Sequence, residues 1–311
     1  MPTIPIEEMM PREMDPKLKE ILGKFSEFLD EIVNFGTHAF KWCLDSVKKG
    51  DEHVPIFQSF RHIFDLLDSI SVLIRKSCAE PCKVLLRGMF ESVLSIEYLL
   101  QKNTAQRGKD FLIWNRHHRL RMLRRHDPDD NLYKEFLACL KKDKSLSGIK
   151  FPGFPDIKSR MDSYSRLFSN PFYAESEKEY QGIKKKTKRA PKWWFNMHGG
   201  PGDVQELADR LGRSAQYELL YRGLSDFSHG MDIIEGKFEI EEPGLVAISQ
   251  LRLPNNAQFM TFMAATFGLT AIRLFINHYA ADKTSHLRDW YIREIQERYL
   301  SLGGQKIIEV I

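Results

Sequence analysis

The stretch Pro81–Leu100, PCKVLLRGMFESVLSIEYLL, decides the fold class. Its proline suits the first turn of a helix, where the missing N–H would have no partner anyway. Val84, Leu85, Met89, Val93, Leu94, Ile96 and Leu99 leave the segment apolar on most sides, which predicts a helix at the centre of a bundle. Upstream, Phe57, Phe60, Ile63, Phe64, Leu67, Ile70, Leu73 and Ile74 recur three and four apart, as do Leu18, Ile21, Leu22, Phe25, Phe28, Leu29, Ile32 and Val33. This is the amphipathic helix period. It predicts a first long helix from Pro16 to about Lys49 and a second ending at the Glu80-Pro81 break.

Downstream, a fourth helix is expected from Thr104 to about His126, stopped by Asp127-Pro128, then a shorter one around Leu132 to Leu140. After Phe151-Pro-Gly-Phe-Pro155, a polar helix from about Asp156 leads into Lys184, Lys185, Lys186, Thr187, Lys188 and Arg189. The turn-rich run Ala190–Gly202 that follows reads as a boundary or mobile loop. Asp203, with Glu206 three residues on, has the signature of a capping box. A helix from about Ser214 to His229 comes next. Alternation at Phe238/Ile240 and Val246/Ile248 about Pro243-Gly244 predicts a small β-hairpin. Two helices, about Asn256 to Tyr279 and Lys283 to Leu300, complete an all-α helical bundle with extra N-terminal helices. The expected organisation is a tail (1–15), an N-terminal helical bundle (16–150), a polar helix and basic connector (151–202), and C-terminal helices (203–311) packed with the N-terminal bundle. No internal repeat at solenoid spacing is present.

Composition excludes several classes. Over 311 residues, 42% are apolar and 28% charged, with 21 Phe, so the chain packs rather than stays disordered. A formal charge of +4 is too small to require nucleic acid by itself. The segment Met1–Asp15 lacks the basic and apolar regions of a signal peptide, so a cytoplasmic location is expected. The run Phe259–Ile276 is interrupted by Thr261, Thr266, Thr270 and Arg273, and reads as a core helix rather than a membrane span. Cys43, Cys78, Cys82 and Cys139 lack paired C-x-x-C spacing and are expected as reduced core residues, with no metal site. Neither phosphate-loop nor dinucleotide fingerprint occurs, so no cofactor is expected.

The most function-like segment is Tyr221-Arg-Gly-Leu-Ser-Asp-Phe-Ser-His-Gly230. Arg followed by His with four to six residues between them is a weak pattern, with roughly two matches expected by chance. Arg119 and Arg121 before His126, and Arg273 before His278, are such matches. Geometry helps to separate them. Seven residues, as from Arg222 to His229, advance two turns and return to the same helix face about 10 Å along, whereas the five from Arg273 to His278 do not. Arg119 and His126 share the seven-residue spacing, but a solvated face in a run of five arginines explains both. Ser225 and Asp226, four and three residues before His229, are spaced to orient its ring.

The run Tyr221-Arg222-x-Leu224-Ser225-x-x-Ser228-His229-Gly230 resembles the Arg-x4-6-His signature of the HEPN superfamily. Together with Leu85-Leu86-Arg87-Gly88-x-Phe90-Glu91 and Glu97-Tyr98-Leu99-Leu100, it looks like the prokaryotic family called domain of unknown function 5677. The HEPN resemblance implies a helical, usually dimeric protein that in many members cuts RNA without metal, as a toxin or defence nuclease. His229 would then be the general acid or base and Arg222 the phosphate binder, with Tyr221, Ser225 and Asp226 in support. One His does not serve both proton transfers, so a homodimer that pairs two motif helices is expected. Gly223 departs from the superfamily pattern, in which a polar residue often follows the Arg. A non-catalytic module binding RNA or a regulatory partner protein is the alternative, and a structural Arg222/His229 pair at a capped helix end is the third reading.

Two further clusters bear on RNA. Arg116, Arg119, Arg121, Arg124 and Arg125 crowd one helix, enough charge to follow a phosphate backbone. The run Lys184–Arg189 precedes Trp193 and Trp194, an interleaving that lets bases stack. A solvated helix face with core-packed Trp residues explains the same pattern. Arg87 and Glu91, four apart on the most apolar helix, are expected to pair with each other or with neighbouring helices.

Overall fold

The computed structural model describes residues 12–46, 48, 50–146, 148–149, 154–228, 238–242, 245–248, 250–304 and 307–308. Its elements are α1 (Pro16–Leu44), α2 (Val54–Arg75), α3 (Cys82–Gln101), α4 (Thr104–Arg124), α5 (Asn131–Lys142), α6 (Ile157–Ser165), α7 (Ala174–Thr187), α8 (Val204–Arg210), α9 (Ser214–Gln216), α10 (Arg222–Ser228), α11 (Ala257–Tyr279), α12 (Thr284–Trp290) and α13 (Gln296–Gly303). One antiparallel ribbon, β1 (Phe238–Glu242) with β2 (Leu245–Ile248), pairs Phe238 with Ile248 and Ile240 with Val246. The fold is all-α with a single hairpin among the described residues, as the hydrophobic period predicts.

The contacts divide the chain into two compact units. One comprises residues 1–49, 56–102 and 207–311, the other 50–55 and 103–206. Sequence patterning placed α4 and α5 with the N-terminal bundle, whereas here they group with 157–206.

In the first unit, α1, α2, α3 and α11 share one core. Phe40, Phe57 and Phe60 gather on Phe275, the closest pair stacking at 4.0 Å between ring centroids. Such ring clusters dominate core energetics through the area they bury. Two glycines allow the helices to approach. A Cβ on Gly36 of α1 would run into the Phe64 ring, and one on Gly268 of α11 would stand 2.9 Å from Leu67 and 3.2 Å from Ile32. At the other end of the α1–α2 pair, Ser26 bonds Ser71 at 2.7 Å, and Arg75 reaches Ser26 and Asp30 at 2.9 and 2.7 Å. The buried hydroxyls are thereby satisfied.

By length and composition α11 suffices to cross a membrane, contrary to the reading of its threonines and arginine as disqualifying. In the fold, 61% of its most apolar window is buried inside the protein. Cys43 and Cys82 are core residues as expected, and burial pushes each thiol up to about 12. Cys78 is only half-buried and Cys139 is exposed on α5, a helix that buries none of its side chains.

In the second unit, α4 packs with α6 and α7 around Ile113, Tyr173, Tyr180 and Met197. The polar helix expected from Asp156 onward is broken. Asn170 accepts the Phe172 N–H at 2.9 Å and Pro171 opens a new turn, so α6 and α7 are separate. The expected connector is also structured: Pro191, Trp194, Phe195 and Met197 are buried. Asp203 caps α8 by accepting the Glu206 N–H at 2.9 Å, while Glu206 reaches back to the Gly202 N–H at 2.7 Å. The second arm of this box lands one residue earlier than the usual motif.

Candidate functional site

The segments that carry the family resemblance meet in space. On α3, Arg87 and Glu91 lie one turn apart with Nε to Oε1 at 3.4 Å. Between them sits Tyr221, whose hydroxyl accepts from Arg87 at 2.9 Å and donates to Glu91 at 2.9 Å. The Arg87 guanidinium also lies over the Tyr221 ring, 4.8 Å from its centroid, a cation–π contact. Burial first, and then the nearby Glu91 carboxylate, pushes the Tyr221 phenol above its usual range. It therefore stays protonated and acts as a donor in the anchor rather than as a base. Two further ties join the same elements: Arg213 contacts Glu97 at 3.1 Å, and Lys83 lies 5.1 Å from the Phe227 ring centroid.

This anchor sets the backbone of the motif. Residues Tyr217–Tyr221 form a π-helical turn leading directly into α10. Such turns rotate the side chains that follow and recur at functional sites. Tyr217 stacks on Tyr221 with centroids 5.0 Å apart. Arg222, the next residue, points outward: its Nε is 3.0 Å from Glu218, and its side chain is 59% exposed. A buried, fully bonded Arg222, required by the purely structural reading, is not what the fold contains.

Ser225 donates to the Tyr221 carbonyl at 2.7 Å, so its proton is used within the helix rather than in holding an imidazole. Asp226 and Ser228 belong to α10 by backbone; their side chains, and all of His229 and Gly230, lie outside the described residues. Among the described residues, no group of three or more His, Cys, Asp or Glu side chains could hold a metal ion.

The family model described as "Family of unknown function (DUF5677)" matches residues 53–244. That is more than half of the chain, and it contains both α3 and the whole Arg/His motif. The chain belongs to the DUF5677 family. No curated protein and no solved structure matches it. The DUF5677 match leaves out α1 at one end and α11–α13 at the other.

The basic clusters both fall in the second unit of this DUF5677 protein. Arg119, Arg121 and Arg124 on α4 are exposed, and so are Lys184, Lys185, Lys186, Lys188 and Arg189 at the end of α7. Arg116 is half-buried over the Tyr164 ring at 4.8 Å, Arg124 is bound to Asp130 at 2.6 Å, and Arg125 caps α4 half-buried. The Trp114 indole donates to the Pro191 carbonyl at 3.0 Å, fastening the chain beyond Arg189 to the middle of α4. Trp194 does not serve as a base platform. It is 4% exposed, with Phe111 and Phe195 centroids at 5.4 and 5.6 Å. Trp193 is half-buried and stacks on Phe195 at 5.8 Å.

One polar cluster gives no local sequence signal. Asp110 of α4 is 3% exposed. Its Oδ1 accepts from Ser176 at 2.6 Å and from Gln106 at 3.0 Å, and lies 3.3 Å from His198 Nε2. Burial raises the Asp110 carboxyl above its ordinary range, against the opposing pull of these partners. His198 sits at φ 53°, a left-handed conformation rare for a residue with a side chain. Its backbone N–H is held by Glu179 at 3.0 Å. The cluster pins the His198-Gly-Gly turn onto α4 and α7.

Proposed function

We propose that this DUF5677 protein is an RNA-binding, HEPN-like endoribonuclease that needs no metal, with Arg222 as phosphate binder and His229 as general acid or base. The observation that carries the reading is the exposed Arg222 guanidinium, presented by an anchored π turn and paired with an exposed Glu218. An incoming phosphate competes readily with such a pair, since exposed ion pairs contribute little. Guanidinium stays charged at any physiological pH and offers a fork of donors to phosphate oxygens.

In the reaction, a ribose 2′-oxygen attacks the adjacent phosphorus while His229 takes its proton. The P–O5′ bond breaks, the leaving 5′-oxygen is protonated, and the products are a 2′,3′-cyclic phosphate and a 5′-hydroxyl end. Arg222 offsets negative charge growing on the non-bridging oxygens. A homodimer supplies the second His229 for the second proton transfer. A toxin or defence role fits this chemistry.

The second reading is a non-catalytic RNA-binding module. It rests on the exposed cations of α4 and of Lys184–Arg189, which suit a phosphate backbone without any cleavage chemistry. The experiment that separates the two is single-turnover incubation of mixed end-labelled RNAs with wild type, Arg222→Ala and Arg222→Lys. Cleavage lowered at least about a hundredfold by Ala, the scale on which removing a transition-state charge partner acts, supports the nuclease. Retention of RNA by all three with no cutting supports the module.

A further inference from the structure

The long apolar helix α11 carries one polar stripe. Thr266, Thr270, Arg273 and Asn277 on α11 are spaced four, three and four apart, which puts them on one helix face. The opposite face of α11, with Ala264, Ala265, Gly268, Ala271, Ile272 and Phe275, is buried, and the helix packs on α1 and α3. The polar stripe forms one wall of a cavity of about 460 Å³, open to solvent, whose other wall comes from α12, the turn at Tyr291 and α13. The volume lies in the range typical of small-molecule sites, about 300–1,000 Å³.

The opposite wall is chemically matched. It brings Arg288, Tyr291 and Tyr299, while Leu269 and Leu287 add apolar surface. Among the described residues, two guanidiniums line the cavity and no carboxylate does. Tyr299 is engaged with Thr266 at 2.8 Å. Among the described residues, Thr270, Arg273, Asn277 and Tyr291 have no hydrogen-bond or ion-pair partner, which leaves their donors for a guest. Arg288 pairs with Asp289, at 3.6 Å and well exposed. Tyr291 opens a second π-helical turn, Tyr291–Ile295, that interrupts the run from α12 to α13; such insertions in helices concentrate where side chains are aimed at a ligand.

We propose that this cavity binds a small organic phosphate: the phosphoryl group between Arg273 and Arg288, with Thr270 and Asn277 donating, and the apolar body against Leu269, Leu287 and the Tyr291 ring. Arg suits a phosphoryl group because its fork engages two oxygens at once. Burial, and then the neighbouring Tyr299, raises the Tyr291 phenol, so it remains a neutral donor near a bound anion. The site is built entirely from 266–299, beyond the family match at 53–244, and is independent of the nuclease reading.

The test is titration calorimetry of the full chain with 1-naphthyl phosphate, 1-naphthoate and 1-naphthol, on wild type, Arg273→Ala and Arg273→Lys. Both substitutions are at an exposed position, and thermal melting checks their folding. The expected result is saturable binding of the phosphate ester by wild type, at least tenfold weaker binding in Arg273→Ala, partial recovery in Arg273→Lys, and weaker binding of naphthoate and naphthol. No binding by folded wild type overturns the proposal. So does an affinity unchanged by Arg273→Ala, naphthol or naphthoate binding as tightly as the ester, or a cavity that proves instead to be filled by a second copy of the chain.

Discussion

The Tyr221 hydroxyl accepts a hydrogen bond from Arg87 at 2.9 Å, so the residue just before the candidate phosphate binder is fixed to α3. Tyr221→Phe keeps the ring and removes a hydroxyl that also donates to Glu91. It is expected to lower stability by about 1 kcal/mol, the net contribution of a typical hydrogen bond. Urea denaturation measures this. A larger loss of cleavage than of stability would show that the bond also positions Arg222.

The closeness of α1 and α2 makes Gly36 intolerant. Gly36→Ala places a methyl group in the Phe64 ring and is expected to cost about 1–3 kcal/mol, the range for overpacking. The double variant Gly36→Ala/Phe64→Leu recovers part of this loss if the ring is the cause. Denaturant midpoints for wild type, Gly36→Ala, Phe64→Leu and the double variant decide it.

Asp110 gives a pH signature. Its folded pKa is raised, chiefly by burial, so the folded state binds this proton more tightly than the unfolded one. The resulting stabilisation is fully present below the ordinary Asp value of about 3.9 and is lost as pH rises through the raised folded value. Asp110→Asn has no proton to lose. Its melting temperature relative to wild type should therefore rise as pH climbs above the ordinary Asp value of about 3.9, and a difference that stays constant with pH would show that Asp110 is not the source.

Charge and core separate in the basic region. Lys184→Gln, Lys185→Gln and Lys186→Gln together change only exposed side chains, so melting should stay nearly constant. If these lysines meet single-stranded RNA, the slope of log affinity against log salt falls by about 0.7 for each phosphate that is no longer neutralised. Trp194→Ala, in contrast, empties a buried site and should destabilise by about 3 kcal/mol or more. Filter binding from low to moderate salt, alongside melting curves, distinguishes the two.

The helices were legible because their apolar residues keep the helical period: α3, α11 and the α1–α2 pair follow directly from it. The Asp203/Glu206 cap and the hairpin also carry local signals. The break at Asn170-Pro171 was present as a dipeptide that starts turns, yet the polar residues on both sides hide it. Which helices group together was not legible, since periodicity reports that a face is buried and not against what. The same limit hides Asp110, Ser176 and His198, which converge from three separate segments. It also hides the π turns at Tyr217 and Tyr291, whose hydrogen-bond register has no residue signature. The candidate site stands out in the sequence by the Arg222/His229 spacing, of which His229 lies outside the described residues. The pairing of Arg87 with Glu91 was expected; the role of Tyr221 as the bolt between them was not, because a single Tyr looks the same in a core and in a site.

The proposed activity is cleavage of RNA by His229 and Arg222. The most direct measurement is the chemistry of the RNA ends produced in EDTA by folded wild type and by His229→Ala. Fragments ending in 2′,3′-cyclic phosphate and 5′-hydroxyl are expected from wild type, and none above background from His229→Ala. Equal cutting by both, fragments with other ends, or no cutting by wild type across diverse RNAs would contradict it.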